Sequence, residues 1–138
     1  MSRVISTNSP GKIRNQHRRT IAEALRRLSQ KPKLDDEARD LAALIVFCLH
    51  GIAETLEQTI QAWEKRDYWM KAERFREQWH WLDPLTDELS AVVYQEQWDQ
   101  LPPVLAQLMP HFADVKVRQM TRKPKLWQGA YERLVREG

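Results

Sequence analysis

The sequence has little cysteine and little glycine. Of 138 residues, one is cysteine and four are glycine. The single cysteine, Cys48, excludes an internal disulfide, which is typical of a reducing compartment such as the cytoplasm. No basic residue is adjacent to Cys48 in the sequence, so we expect a structural thiol rather than a nucleophile. The glycines do not form a phosphate-binding loop.

Long apolar runs are also missing. The longest, residues 41–49, covers nine residues. A helix that spans a bilayer needs about 20 apolar residues. No early stretch combines a basic start, an apolar centre and a small-residue cleavage site, so we expect no secretion signal. The sequence therefore predicts a cytoplasmic protein without a membrane partner.

Residues that favour helices are abundant. Leu, Ala, Glu, Gln, Arg and Lys dominate, and strand formers are sparse. Apolar side chains recur every three or four residues, as on one face of a helix. The length suits one hydrophobic core. We predict an all-α, single-domain bundle of five or six helices over residues 9–138, preceded by a flexible arm over residues 1–8.

Capping residues predict where the first two helices begin. Ser9 precedes a proline, a pair typical of a helix start. An aspartate at 35 or 36 begins the second helix, with further acids in its first turn. This second helix is apolar nearly all round, which predicts that it is the long central helix. It covers about 36–65, and in an alternative it continues to 82. Asp67 is the expected site of a break.

The segment from 63 to 82 holds four of the six tryptophans. On a helical wheel, Trp63, Met70 and Trp81 lie opposite the face that carries Phe75. Two opposed apolar faces need two covers, and the second cover is either a further helix of the same chain or a partner. We predict a homodimer through Trp63, Met70 and Trp81. In the alternative, the rings stack on unpaired bases while cations meet phosphates. The near-neutral charge of the segment favours packing over this alternative.

Charge is distributed unevenly along the chain. Residues 1–33 carry a net charge of +8, residues 34–115 carry −10 and residues 116–138 carry +5, although the whole chain is only +3. The basic ends predict contact with RNA or DNA through the phosphate backbone. The predicted contacts are Lys12, Arg14, Arg18, Arg19, Arg26, Arg27, Lys31, Lys33, Arg122, Lys123 and Lys125. Two alternatives remain: the basic ends neutralise the acidic middle, in cis or across an oligomer, or they form a solvated face.

Signals for metal binding are weak. The pairs His50/Glu54 and Glu77/His80 have helical spacing, and the second matches the Glu-x-x-His element of carboxylate-bridged di-metal bundles. Such sites need two of these elements with further inward carboxylates, and the sequence has one. We therefore expect no metal and no cofactor.

Arg74 and His80 are six residues apart. This pair resembles the Arg-x(4–6)-His signature of the HEPN ribonucleases. The resemblance covers two residues, and Phe75 stands where those enzymes place a polar residue. It implies a composite site across a dimer that cleaves RNA without metal.

These patterns together predict a non-catalytic helical interaction protein. We expect a homo-oligomer, with an accessory role in which the basic N- and C-terminal helices contact nucleic acid. One alternative is a small helical enzyme, either a metal-binding carboxylate/His bundle or a metal-independent ribonuclease. A second alternative is a purely structural oligomer.

Overall fold

The computed structural model describes residues 9–137, so the predicted flexible arm over residues 1–8 lies outside it. Within that range the chain forms helices and turns and no strand. The α-helices are α1 (Pro10–Ser29), α2 (Asp36–Lys65), α3 (Trp69–Gln78), α4 (Leu82–Tyr94), α5 (Leu101–Leu108) and α6 (Ala130–Glu137). Short 3₁₀ turns cover Trp98–Gln100, Met109–Phe112 and Pro124–Leu126. The predicted all-α bundle of five or six helices is confirmed.

Helix α2 is the centre of the bundle. It contacts α1, α3, α4 and α6. Its largest inward side chains have no exposed surface: Leu41, Ile45, Leu49 and Ile52. Because neighbours cover several of its sides, its sequence is apolar nearly all round, as a buried helix requires. The prediction of a long central helix over about 36–65 is confirmed.

The first two helices begin at the predicted caps. The Ser9 hydroxyl accepts a hydrogen bond from the backbone N–H of Lys12 at 3.3 Å. The Asp35 carboxylate accepts one from the backbone N–H of Ala38 at 2.8 Å. Each satisfies a donor that the first helical turn leaves without a backbone partner.

The alternative in which the central helix continues to 82 is wrong. Asp67 has a φ of 62°, in the left-handed region that a right-handed helix excludes. The backbone N–H of Tyr68 then donates back to the carbonyl of Trp63 at 2.9 Å, which satisfies a carbonyl at the end of α2. The chain breaks again between α3 and α4. A single helical wheel therefore does not apply to residues 63–82.

The segment from 113 to 123 lies along α1, and α6 packs against α2. Among the helices of residues 9–137, none has the length and apolar character needed to cross a membrane.

Candidate functional site

The arginines of α1 hold the 113–123 segment against the bundle. Arg18 donates two hydrogen bonds to the Asp114 carboxylate, at 2.6 and 3.1 Å. Arg19 donates to two backbone carbonyls of the segment, at 3.1 and 2.9 Å. Arg26 donates to the carbonyl of Val117. Three of the cations predicted to contact nucleic acid thus have partners within the chain.

Glu23, the acid at the centre of this attachment, is 1% exposed. Its carboxylate accepts hydrogen bonds from Arg19 Nε at 2.7 Å and from the backbone N–H groups of Thr121 and Arg122 at 2.7 and 2.8 Å. Burial alone would raise the pKa of Glu23, but the hydrogen bonds from Arg122, Thr121 and Arg19 outweigh it and lower that pKa to about 2. Arg122 also donates to α1, at the Gln16 carbonyl and the Thr20 hydroxyl.

Further cations of the basic N-terminal part pair with acids at the start of α2. Arg27 and Lys31 both contact Glu37, at 3.1 and 2.7 Å, and Lys31 also contacts Asp35 at 2.9 Å. Ion pairs of this kind are what the alternative requires in which the basic ends neutralise the acidic middle of the same chain.

Four of the predicted cations have exposed side chains, and they form no ion pair or side-chain hydrogen bond with any residue between 9 and 137. They are Lys12, Lys33, Lys123 and Lys125. Nucleic-acid contact by the basic ends stays a prediction, and these exposed lysines are available to make it.

Two of the three residues predicted to form a dimer face are covered by their own chain. The ring of Trp63 packs edge-on against Phe75, with 5.0 Å between centroids. Trp81 stacks on His111 at 3.8 Å and 8°. Met70 is exposed. The premise of one continuous helical face is wrong because the chain breaks twice between 63 and 82, whereas assembly itself stays a prediction.

The bare aromatic surface lies at the α2–α3 corner, defined here as residues 65–74. Tyr68 is 48% exposed, Trp69 57% and Met70 70%. Part of this surface is an open groove of about 850 Å³. Two exposed cations, Lys71 and Arg74, line the groove, and two more exposed cations, Lys65 and Arg66, belong to the same corner. Among the acids of the corner, Glu73 already pairs with Arg76 at 3.2 Å, which leaves Asp67.

A second concave surface, the α1–α3 cleft, lies between α1, α3 and the turn Met109–Phe112. Its volume is about 480 Å³. Its lining residues are Arg14, Asn15, Arg18, Phe75, Gln78, Trp79, Trp81, His111 and Asp114. Sequence reasoning missed this cleft because its walls come from three parts of the chain, and no local spacing relates them.

The weak metal candidates lie on α2, on α3 and in the turn after α3. His50, Glu54, Glu77 and His80 are all exposed. In the part of the chain that the structure describes, no group of three or more His, Cys, Asp or Glu side chains has a metal-binding arrangement. His80 Nδ1 lies 2.7 Å from the Glu77 carbonyl oxygen.

The ribonuclease alternative needs a second chain to complete its site, so it stays a prediction, and the structure shows where its two residues lie. Arg74 is an exposed residue of α3, whereas His80 lies beyond the end of that helix. Cys48 is buried, and burial raises the pKa of its thiol to about 12, so the thiol stays protonated at neutral pH. Comparison with known proteins finds no matching family model, curated protein or solved structure.

Proposed function

We propose that this protein is a non-catalytic interaction protein that binds single-stranded nucleic acid at the α2–α3 corner. The carrying observation is that Tyr68, Trp69 and Met70 are about half exposed or more, next to four exposed cations. Large apolar side chains that cluster on a surface mark a contact site more often than scattered ones do.

The charge of the corner selects a negatively charged partner. The corner contains four exposed cations and only one acid that is not already ion-paired within residues 9–137, Asp67. A single strand presents phosphates and unpaired bases together, so the same partner satisfies the cations and the rings. An exposed indole and phenol provide flat surfaces on which bases stack.

A second copy of the chain fits the corner less well. A two-fold dimer brings the same patch from both subunits together. The cations around Trp69 would then face their own copies, and like charges across an interface are unfavourable. The homo-oligomer prediction would therefore need another surface.

The basic ends have a smaller role in this proposal. Most of their arginines hold the 113–123 segment or pair with acids of α2. Additional phosphate contacts then fall to the exposed lysines, such as Lys12 and Lys123. The buried Cys48 thiol suits the cytoplasm, which we propose as the location.

Fluorescence anisotropy with a labelled single-stranded oligonucleotide that has a 5′-hydroxyl end tests the proposal across a salt series. We expect affinity to fall steeply with salt. Trp69→Ala should weaken binding by about 1–3 kcal/mol, the cost of losing one stacked base. Leu126→Ala is the matched control because Leu126 is also exposed and lies outside the corner.

Four results would count against nucleic acid as the partner. The first is the absence of binding at low salt, and the second is a Trp69→Ala variant that binds as well as Leu126→Ala. An acidic peptide that binds in place of the oligonucleotide, with the same loss in Trp69→Ala, would identify an acidic protein as the partner. A dimer in sedimentation that Trp69→Ala dissociates would identify a second copy.

A further inference from the structure

We propose that the α1–α3 cleft binds a phosphate monoester attached to a small planar group, with Arg14 as the residue that binds the phosphate. This inference is independent of the α2–α3 corner, since it concerns other side chains and another ligand chemistry.

Arg14 is a partly buried cation that has no acidic partner among residues 9–137. Both of its terminal nitrogens donate to the hydroxyl of Thr59, at 3.3 Å each. Its guanidinium carbon lies 4.9 Å from the centroid of the Phe75 ring. No carboxylate of residues 9–137 lies within ion-pair distance of it. A partly buried guanidinium with only neutral partners has lost hydration that an anion would replace with charge-assisted hydrogen bonds.

The neighbouring charges of the cleft cancel. Arg18, one turn further along α1, forms a two-bond ion pair with Asp114, and so adds no net charge. The Nε of Arg18 is buried and has no hydrogen-bond partner in the described chain. Burial lowers the pKa of His111, so this ring is neutral at neutral pH. The cleft therefore carries the single positive charge of Arg14.

The wall of the cleft is aromatic. Trp79 and Trp81 stack with centroids 5.4 Å apart, and His111 continues the stack from Trp81 at 3.8 Å. The amides of Asn15 and Gln78 add polar groups to the lining. A volume of about 480 Å³ lies within the range of small-ligand sites, about 300–1,000 Å³. A cation, amides and an aromatic wall together suit the phosphate and the ring of a nucleoside monophosphate.

Two sources supply this chemistry: a free nucleotide and the phosphorylated 5′ end of a strand. Calorimetry with adenosine monophosphate, ribose 5-phosphate and inorganic phosphate tests the site without choosing between them. We expect adenosine monophosphate to bind with a Kd below about 1 mM and more tightly than the other two ligands. Tryptophan emission should change on binding because two indoles line the cleft.

Substitutions separate the cleft from general charge. Arg14→Gln should weaken adenosine monophosphate binding about 10- to 100-fold, the effect of losing hydrogen bonds to a charged group. Arg14→Lys keeps the positive charge but loses the paired donors of the guanidinium. Its affinity should lie between those of the wild type and Arg14→Gln. Arg118→Gln makes the same chemical change at an exposed position outside the cleft and should bind as the wild type does. Circular dichroism checks that each variant is folded.

The sources are then distinguished with oligonucleotides. A 5′-phosphorylated strand that binds more tightly than its 5′-hydroxyl counterpart, with the gain lost in Arg14→Gln, indicates a strand end. Binding of the free nucleotide alone indicates a small-molecule site. The proposal is overturned if no phosphate monoester binds below about 1 mM, or if Arg118→Gln and Arg14→Gln lose affinity equally. Trp69→Ala changes the corner and leaves the cleft intact. If this variant still binds adenosine monophosphate but has lost the 5′-hydroxyl oligonucleotide, the two sites are separate, and failure of one proposal does not imply failure of the other.

Discussion

At the scale of single residues, Glu23 decides how the basic first helix and the segment 113–123 fit together. It is the one acid among residues 1–33, and the fold buries it where four donors converge. A buried carboxylate is tolerated only when its charge is paired and its oxygens are hydrogen-bonded. Glu23 therefore joins α1 to a segment about a hundred residues further along the chain.

Replacing Glu23→Gln should lower the free energy of unfolding by about 3 kcal/mol, because the buried donors then face an uncharged amide. Urea unfolding followed by circular dichroism measures the loss. Glu57→Gln on the exposed side of α2 makes the same chemical change and should alter stability by no more than about 0.5 kcal/mol. Equal losses in the two variants would show that Glu23 does not anchor the segment.

The same pair of variants should differ in their response to pH. The pKa of Glu23 is lowered from 4.5 to about 2, so as pH falls the unfolded chain binds the proton first. The stabilisation is complete above pH 4.5 and declines as pH falls towards 2. The gap between wild type and Glu23→Gln should close over that window, whereas Glu57→Gln should follow the wild type throughout. A gap that is constant with pH would mean that the charge of Glu23 contributes nothing.

At the scale of elements, the beginnings of the first two helices could be predicted and the breaks only partly. Ser9 and Asp35 act within three residues of themselves, so their role is visible in the sequence. Asp67 was expected at the break, yet the local sequence favours helix on both sides of it. The turn depends on a left-handed residue and on the packing of α3 against α2, and this tertiary packing is not visible in local propensity.

The contact between α1 and α2 depends on a glycine. A Cβ at Gly51 would overlap the imidazole of His17. Ala is favoured over Gly inside a helix by about 1 kcal/mol, so Gly51→Ala should realise this gain only when the ring is removed. We expect Gly51→Ala to stabilise the His17→Ala variant by about 1 kcal/mol and to stabilise the wild type clearly less.

A double-mutant cycle by thermal unfolding measures this coupling. Identical gains in the two backgrounds would show that His17 rotates away from Gly51 at no cost.

At the scale of the whole molecule, charge could be counted from the sequence but its partners could not. The basic first helix and the acidic middle were apparent, and the structure brings Arg18 to Asp114, 96 residues apart. Which cations stay free depends on such long-range pairs. The aromatic segment is likewise apparent in the sequence, but its division into covered rings and the exposed Trp69 follows from the break at Asp67. The aromatic and basic residues of the corner could thus be recognised in the sequence, whereas the cleft could not be predicted from it.

The C-terminal part completes the bundle, and Trp127 connects it to the centre. This side chain is 3% exposed, and its Nε1 donates to the Glu37 carboxylate of α2 at 3.1 Å. Asp40 of α2 accepts hydrogen bonds from the backbone N–H groups of Gly129 and Tyr131 at 3.1 and 2.9 Å, where α6 begins. Helix α2 thus contacts both the central core and the C-terminal segment. We therefore expect the molecule to unfold in one cooperative step.

Trp127→Ala should therefore lower the unfolding free energy by about 3–5 kcal/mol, the cost of removing a large buried side chain. Leu126→Ala, at a neighbour that is 44% exposed, should change it by no more than about 0.5 kcal/mol. Urea titrations followed by far-ultraviolet circular dichroism and by tryptophan emission should give coincident transitions in the wild type and both variants. If Trp127→Ala instead shows an early, separate transition for its C-terminal part, α6 unfolds independently of the rest of the bundle, and the expectation of one cooperative step is wrong.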